Sequence, residues 1–103
     1  MQLATQEFLV RIHVNVDPSL DVAVRQELTA AERVRGAELV RDGSIRAIWR
    51  VPGTASNVGV WRADNATDLH AILSSLPMFP YMSIEVTALA AHPLAPIFEE
   101  LGS

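Results

Sequence analysis

A chain of 103 residues, half of them hydrophobic, fits one compact domain with a limited core. It has no cysteine and no lysine, and its eight arginines face twelve carboxylates, for a net charge of -4. Disulfides, thiolate nucleophiles, cysteine-bound metal and lysine Schiff bases are excluded; no basic surplus exists for nucleic acid, and disorder is a poor fit.

Residues 1–6 are expected to be a loose terminus, ahead of a single domain over residues 7–93. The opening MQLATQEF lacks the basic and then apolar pattern of a signal peptide. No apolar run reaches the roughly 18–20 residues of a membrane helix. The expected location is the cytoplasm, with no membrane partner.

From Glu7 to Val16 apolar and polar residues alternate, with Phe8, Val10, Ile12, Val14 and Val16 on one face. That is a strand with one buried side. Asp17-Pro18 suits the start of a helix, with Asp as cap and Pro in the first turn. The helix is expected to run to about Asp42, stopped by Gly43. Leu20, Val24, Leu28, Ala31 and Leu39 would form its inner stripe, which Arg35 and Glu32 interrupt. Residues 44–51 and 57–63 follow as strands around the Pro52-Gly53 turn. Asn65 caps a short helix through Leu76, with Leu69, Ile72 and Leu73 inward. Residues 76–82 form an apolar, proline-bounded connector, and residues 83–89 a fourth strand. The tail over residues 94–103 holds a last short helix at an interface.

The order is β-α-β-β-α-β, an α+β chain of the ferredoxin-like type with a four-stranded antiparallel sheet and both helices on one face. The open face would carry Leu9, Ile45, Ala47 and Trp49, or the alternate set if the register slips by one. An apolar second face calls for another sheet, which makes two subunits a dimeric α+β barrel. The surplus of apolar residues then has a place to go.

No strong catalytic motif is present, so the chemistry falls to isolated polar residues among apolar ones. Glu32 is either a partly desolvated general base or a surface glutamate paired with Arg35 or Arg25. His70 is either a half-buried structural histidine or an acid–base group. His13 and His92 lack ligand spacing, and no metal site is expected. Trp49 and Arg50 end a strand, where the arginine would fork onto a carboxylate and the tryptophan wall a pocket, or both would face solvent. Tyr81 either lines a pocket or closes the core.

In order and spacing, LxxxE (28–32), GSIRAIWRVPG (43–53), Asn57, LHAILSSLPMFPYM (69–82), IEVTAL (84–89) and His92-Pro93 resemble the muconolactone delta-isomerase family. The resemblance runs from about Phe8 to Pro93. It implies a cofactor-free isomerase of aromatic catabolism, paired sheet to sheet and assembled further into a decamer. The implied reaction moves the ring double bond of a five-membered unsaturated lactone that carries a carboxymethyl group. On this resemblance Glu32 matches the family's helix glutamate and becomes the base. Arg50 would hold the substrate carboxylate, Asn57 would donate to the lactone carbonyl, and Trp49, His70 and Tyr81 would line or polarise the pocket.

Two departures stand out. Thr54-Ala55-Ser56 follows Gly53 where the family carries bulkier polar and aromatic side chains. Thr29 stands where a lysine is common. Both predict a wider, less polar pocket. They leave open a different substrate on the same fold, as for a chlorolactone dehalogenase, a cyclase or a cofactor-free oxygenase, and also a non-catalytic dimeric binding module.

Overall fold

The structure is a computed structural model and describes residues 5–102. Its strands are β1 (Gln6–Val14), β2 (Ile45–Arg50), β3 (Asn57–Ala63) and β4 (Met82–Leu89). Its helices are α1 (Val22–Arg41), α2 (Ala66–Ser74) and α3 (Ala95–Glu100), with a 3-10 turn at Phe79–Tyr81. The strands lie in the order β2-β3-β1-β4, and every neighbouring pair is antiparallel. This is the expected ferredoxin-like arrangement. Of the expected loose terminus, Gln6 already belongs to β1, while residues 1–4 lie outside the described part.

The alternation in β1 decides which face is covered. Phe8, Val10 and Ile12 are buried, and each lies opposite a β3 residue of the same face: Trp61, Gly59 and Asn57. Leu39 from α1 and Leu69 and Leu73 from α2 join that core, so both helices cover this face. The other face stays open and presents Leu9, Arg11, Val58, Val60, Glu85 and Thr87 in adjoining rows.

Two local expectations are corrected. Strict alternation would put Ile45, Ala47 and Trp49 on one face, but the pairing of β2 with β3 shifts register between Ile45 and Ala47. Ile45 therefore faces the helices opposite Trp61, whereas Ala47 and Trp49 face the open side opposite Val60 and Val58. The bulge also turns Arg50 to the helix side, opposite Asn57.

The second correction concerns the start of α1. Asp17 does not cap it. Its carboxylate accepts from the backbone and hydroxyl of Ser19 at 2.9 and 2.8 Å, closing a turn that also joins Leu20 N–H to Asp17 O. Those two bonds lower the pKa of Asp17. Asp21 is the cap instead, accepting from Ala23 N–H at 2.8 Å. Both aspartates suit a cap, and the Asp17-Pro18-Ser19 sequence closes on itself first.

Candidate functional site

The inner face of α1 is not the apolar stripe expected from Leu20, Val24, Leu28, Ala31 and Leu39. Val24 and Ala31 are exposed, while Arg25, Leu28, Thr29, Glu32, Arg35, Gly36 and Leu39 are buried or half-buried at three- and four-residue spacing. Polar side chains thus hold most of the inner face, and Val22, Val34 and Val40 point outward. A helix that turns polar groups inward and valines outward sacrifices burial energy.

Glu32 stands at the middle of that face. Its Oε1 accepts the backbone N–H of Met78 at 2.9 Å, and Met78 itself is buried. Burial pushes the carboxyl above the usual glutamate range, and the Met78 N–H offsets only part of the effect. Neither ion pair considered for Glu32 exists. Among the described residues Arg35 pairs with Glu38 at 3.3 Å, and Arg46 and Arg62 pair with Glu7. Arg35 Nε also donates to Ser75 Oγ at 3.0 Å, so α1 meets the connector after α2 at two adjacent points.

Asn57 and Arg50 lie side by side on the same covered face, at the end of the sheet where α1 begins. Asn57 is half-buried, and its Oδ1 is buried with no hydrogen-bond donor among the described residues. Arg50 is exposed and donates from one terminal nitrogen to Ala55 O at 2.8 Å. The Thr54-Ala55-Ser56 loop closes on itself: Thr54 Oγ1 donates to Val51 O and accepts from Ser56 N–H. Ser56 is buried, and its hydroxyl bonds the Nδ1 of His13 at 2.8 Å. The left-handed φ of 77° at Gly53 permits the turn.

The connector separates two further residues of interest. Tyr81 is half-buried, and its carbonyl accepts Asn15 N–H at 2.8 Å. His70 sits on the side of α2 toward β4, with its ring edge-on to Phe79 at 6.3 Å between centroids. It lines a depression of about 330 Å³ with Leu73, Phe79, Met82, Ile84 and Val86, to which Glu32 does not contribute. Trp49, 57% exposed, lies on the open face of the sheet, away from Glu32.

Asn57 and Arg50 thus pair on the covered face of the sheet, Glu32 lies on the inner face of α1 against the connector, His70 lines a separate depression beside β4, and Trp49 lies on the open face. The structure adds Arg25, which the sequence suggested only as a partner for Glu32. Its signal was the seven-residue spacing to Glu32, which returns a helix to the same face after two turns. No group of three or more potential metal-ligating side chains occurs among the described residues.

A four-stranded antiparallel sheet covered on one side by two helices, with a half-buried carboxylate on the inner face of the first, defines a ferredoxin-like subunit. The family model described as muconolactone delta-isomerase matches residues 6–95. The chain belongs to that family. The muconolactone delta-isomerase of Rhodococcus opacus is 42% identical over 85 residues, covering 82% of this chain and 91% of the relative. That of Acinetobacter baylyi is 38% identical over 86 residues, covering 84% and 90%. A crystal structure of muconolactone isomerase superposes with a TM-score of 0.79 at 37% identity, covering 84% of this chain and 91% of that one.

Proposed function

We propose that the chain is a cofactor-free isomerase that shifts the ring double bond of a muconolactone-like unsaturated lactone, in aromatic catabolism in the cytoplasm. The observation that carries this reading is Glu32: a half-buried carboxylate with raised pKa and no cationic partner, on the polar inner face of α1. The proton on the ring carbon vinylogous to the lactone carbonyl is acidic, because its loss gives a delocalised dienolate. Glu32 takes that proton, the ring electrons move toward the carbonyl oxygen, and a proton, exchangeable with water while it sits on the Glu32 carboxyl, is returned at the carbon beside the carbonyl. Substrate and product have the same atoms, so no co-reactant is needed. Desolvation strengthens the base, and an N–H donor near the carbonyl oxygen stabilises the dienolate.

Asn57 is suited to that donor role, with its amide held at the covered end of β3. Arg50 keeps guanidinium nitrogens beyond the one bound to Ala55 O, and these would meet the substrate carboxylate. Tyr81 and His70 would form walls on either side of the connector. Trp49 enters this reading through self-association. Leu9 and Trp49 are exposed on the open sheet face, and a second sheet packed there would bury them. A dimer formed this way, built up to a decamer, belongs to the same proposal. No helix among the described residues is long and apolar enough to cross a membrane.

The small side chains of the 54–56 loop favour a second reading, in which a substituted lactone replaces the parent compound. The test supplies muconolactone and its methyl- and chloro-substituted forms and follows ring ultraviolet absorbance, with deuterium uptake from heavy water read in parallel. Turnover with deuterium at the carbon beside the carbonyl is the expected result. Absence of both turnover and exchange with every form overturns the proposal.

A further inference from the structure

We infer that Arg25 is a specificity-determining residue that fixes the carboxylate of the ligand at the mouth of the Glu32 site. The inference rests on the isomerase reading for its choice of ligand. Arg25 and Glu32 share one face of α1, two turns and roughly 10 Å of helix rise apart. Helical side chains lean toward the N-terminus, so Glu32 leans toward the Arg25 end of the helix, where Asn57 and Arg50 also lie.

The hydrogen bonding of Arg25 is incomplete. Its Nε is buried and has no acceptor, and one terminal nitrogen reaches Asp17 O at a long 3.4 Å. No carboxylate among the described residues pairs with it. A guanidinium is always charged, and burying part of it without an acceptor is costly unless an anion completes it. The other arginines are committed differently. Arg35, Arg46 and Arg62 pair with glutamates, Arg11 faces the open side opposite Glu85, Arg33 and Arg41 are exposed, and Arg50, also exposed, reaches the ligand carboxylate only with the nitrogens its loop leaves free. In a chain of net charge -4, anion binding must be created locally, and Arg25 is the half-buried cation left for it. The unpaired Asn57 Oδ1 lies on the same covered side, so the region holds both an unfilled donor and an unfilled acceptor. The carboxylate of the ligand fills the donor, and the ring oxygens, which only accept, meet the amide N–H of Asn57.

The experiment titrates the saturated carboxymethyl lactone, which cannot isomerise, and its methyl ester into the wild-type chain, Arg25→Gln and Arg25→Lys. Circular dichroism verifies the fold of each. Arg25→Gln is expected to weaken binding of the free acid about 10–100-fold, the usual worth of charge-assisted hydrogen bonds, and to leave the ester unchanged. Arg25→Lys should recover part of the loss, since it restores the charge without the fork. An unchanged preference for acid over ester in Arg25→Gln overturns the inference, as does a wild-type chain that binds neither. If the wild-type chain fails to isomerise the unsaturated lactone yet binds the acid through Arg25, the isomerase reading falls and the anchor stands.

Discussion

The carboxylate of Glu32 accepts the backbone N–H of Met78 at 2.9 Å, joining the middle of α1 to the connector between α2 and β4. This bond fixes one oxygen and leaves the other for chemistry, in surroundings that disfavour the charged form. Glu32→Gln keeps an acceptor for Met78 and removes the base. Its kcat should fall by about 10²–10⁴-fold, the typical share of a positioned general base, with the fold intact. Ring-proton exchange in heavy water measures this directly. Exchange at the wild-type rate would assign the base elsewhere.

The raised pKa of Glu32 gives the pH profile a definite sign. Catalysis needs the ionised form, so kcat/KM should climb with pH through a value above the ordinary glutamate range and then level off. Stability responds in the opposite sense. Between the unfolded pKa, near 4.5, and the raised folded pKa, the native state holds the proton more tightly than the unfolded chain. The Glu32 contribution is therefore favourable at low pH and is lost as pH rises through that window. Denaturant melts of wild type and Glu32→Gln should diverge above it, with the glutamine variant the more stable. Parallel melts at every pH would refute the linkage.

The sequence revealed the strands more readily than the site, for a physical reason. In β1 each residue obeys the two-residue period because one face meets the core and the other does not, and Phe8, Val10 and Ile12 are buried as that period requires. In β2 the stretch from Ile45 to Trp49 alternates just as well, yet the register shift reverses the face partway along. Nothing in those residues marks the shift, which falls at Arg46, opposite the step from Val60 to Trp61. In α1 the hydrophobic period holds at Leu28 and Leu39 and fails at Val24 and Ala31, since Arg25, Thr29 and Glu32 turn inward and Val34 turns out. Patterning assumes that the buried face is the apolar one, and α1 breaks that rule at four positions, Arg25, Thr29, Glu32 and Arg35. Glu32 was legible through its spacing and the family resemblance, whereas the incomplete hydrogen bonding of Arg25 appears only once the chain is folded.

Trp61 offers a separate test of the core. It is 1% exposed, opposite Phe8 in the central strand pair, and its indole N–H has no acceptor among the described residues. An unsatisfied buried donor costs about 1–3 kcal/mol, which subtracts from the large burial gain of the ring. Trp61→Phe removes the donor and keeps most of the apolar contact, so it should change stability by less than about 1.5 kcal/mol, within the range of conservative core swaps. Trp61→Ala leaves a cavity and should cost about 3–5 kcal/mol. Equal losses for the two in urea melts would mean that the indole N–H is satisfied in solution.

Gly59 lets β2 come close to β3 just before the pair of Arg50 with Asn57. A Cβ built on it would stand 2.6 Å from the carbonyl oxygen of Ala47 and 3.4 Å from the Cα of Ile48. The first contact is to backbone, which cannot swing aside as a side chain can, so alanine here must push β2 away from β3. The cost should be about 1–3 kcal/mol, as for other overpacked sites. Displacement of β2 also moves Arg50 relative to Asn57, because the two are paired two residues further along the same ladder. Gly59→Ala should therefore raise KM for the lactone beyond what its loss of stability explains, measured at a temperature where the variant is fully folded. A variant destabilised with unchanged KM would show that the position of Arg50 does not depend on this close approach.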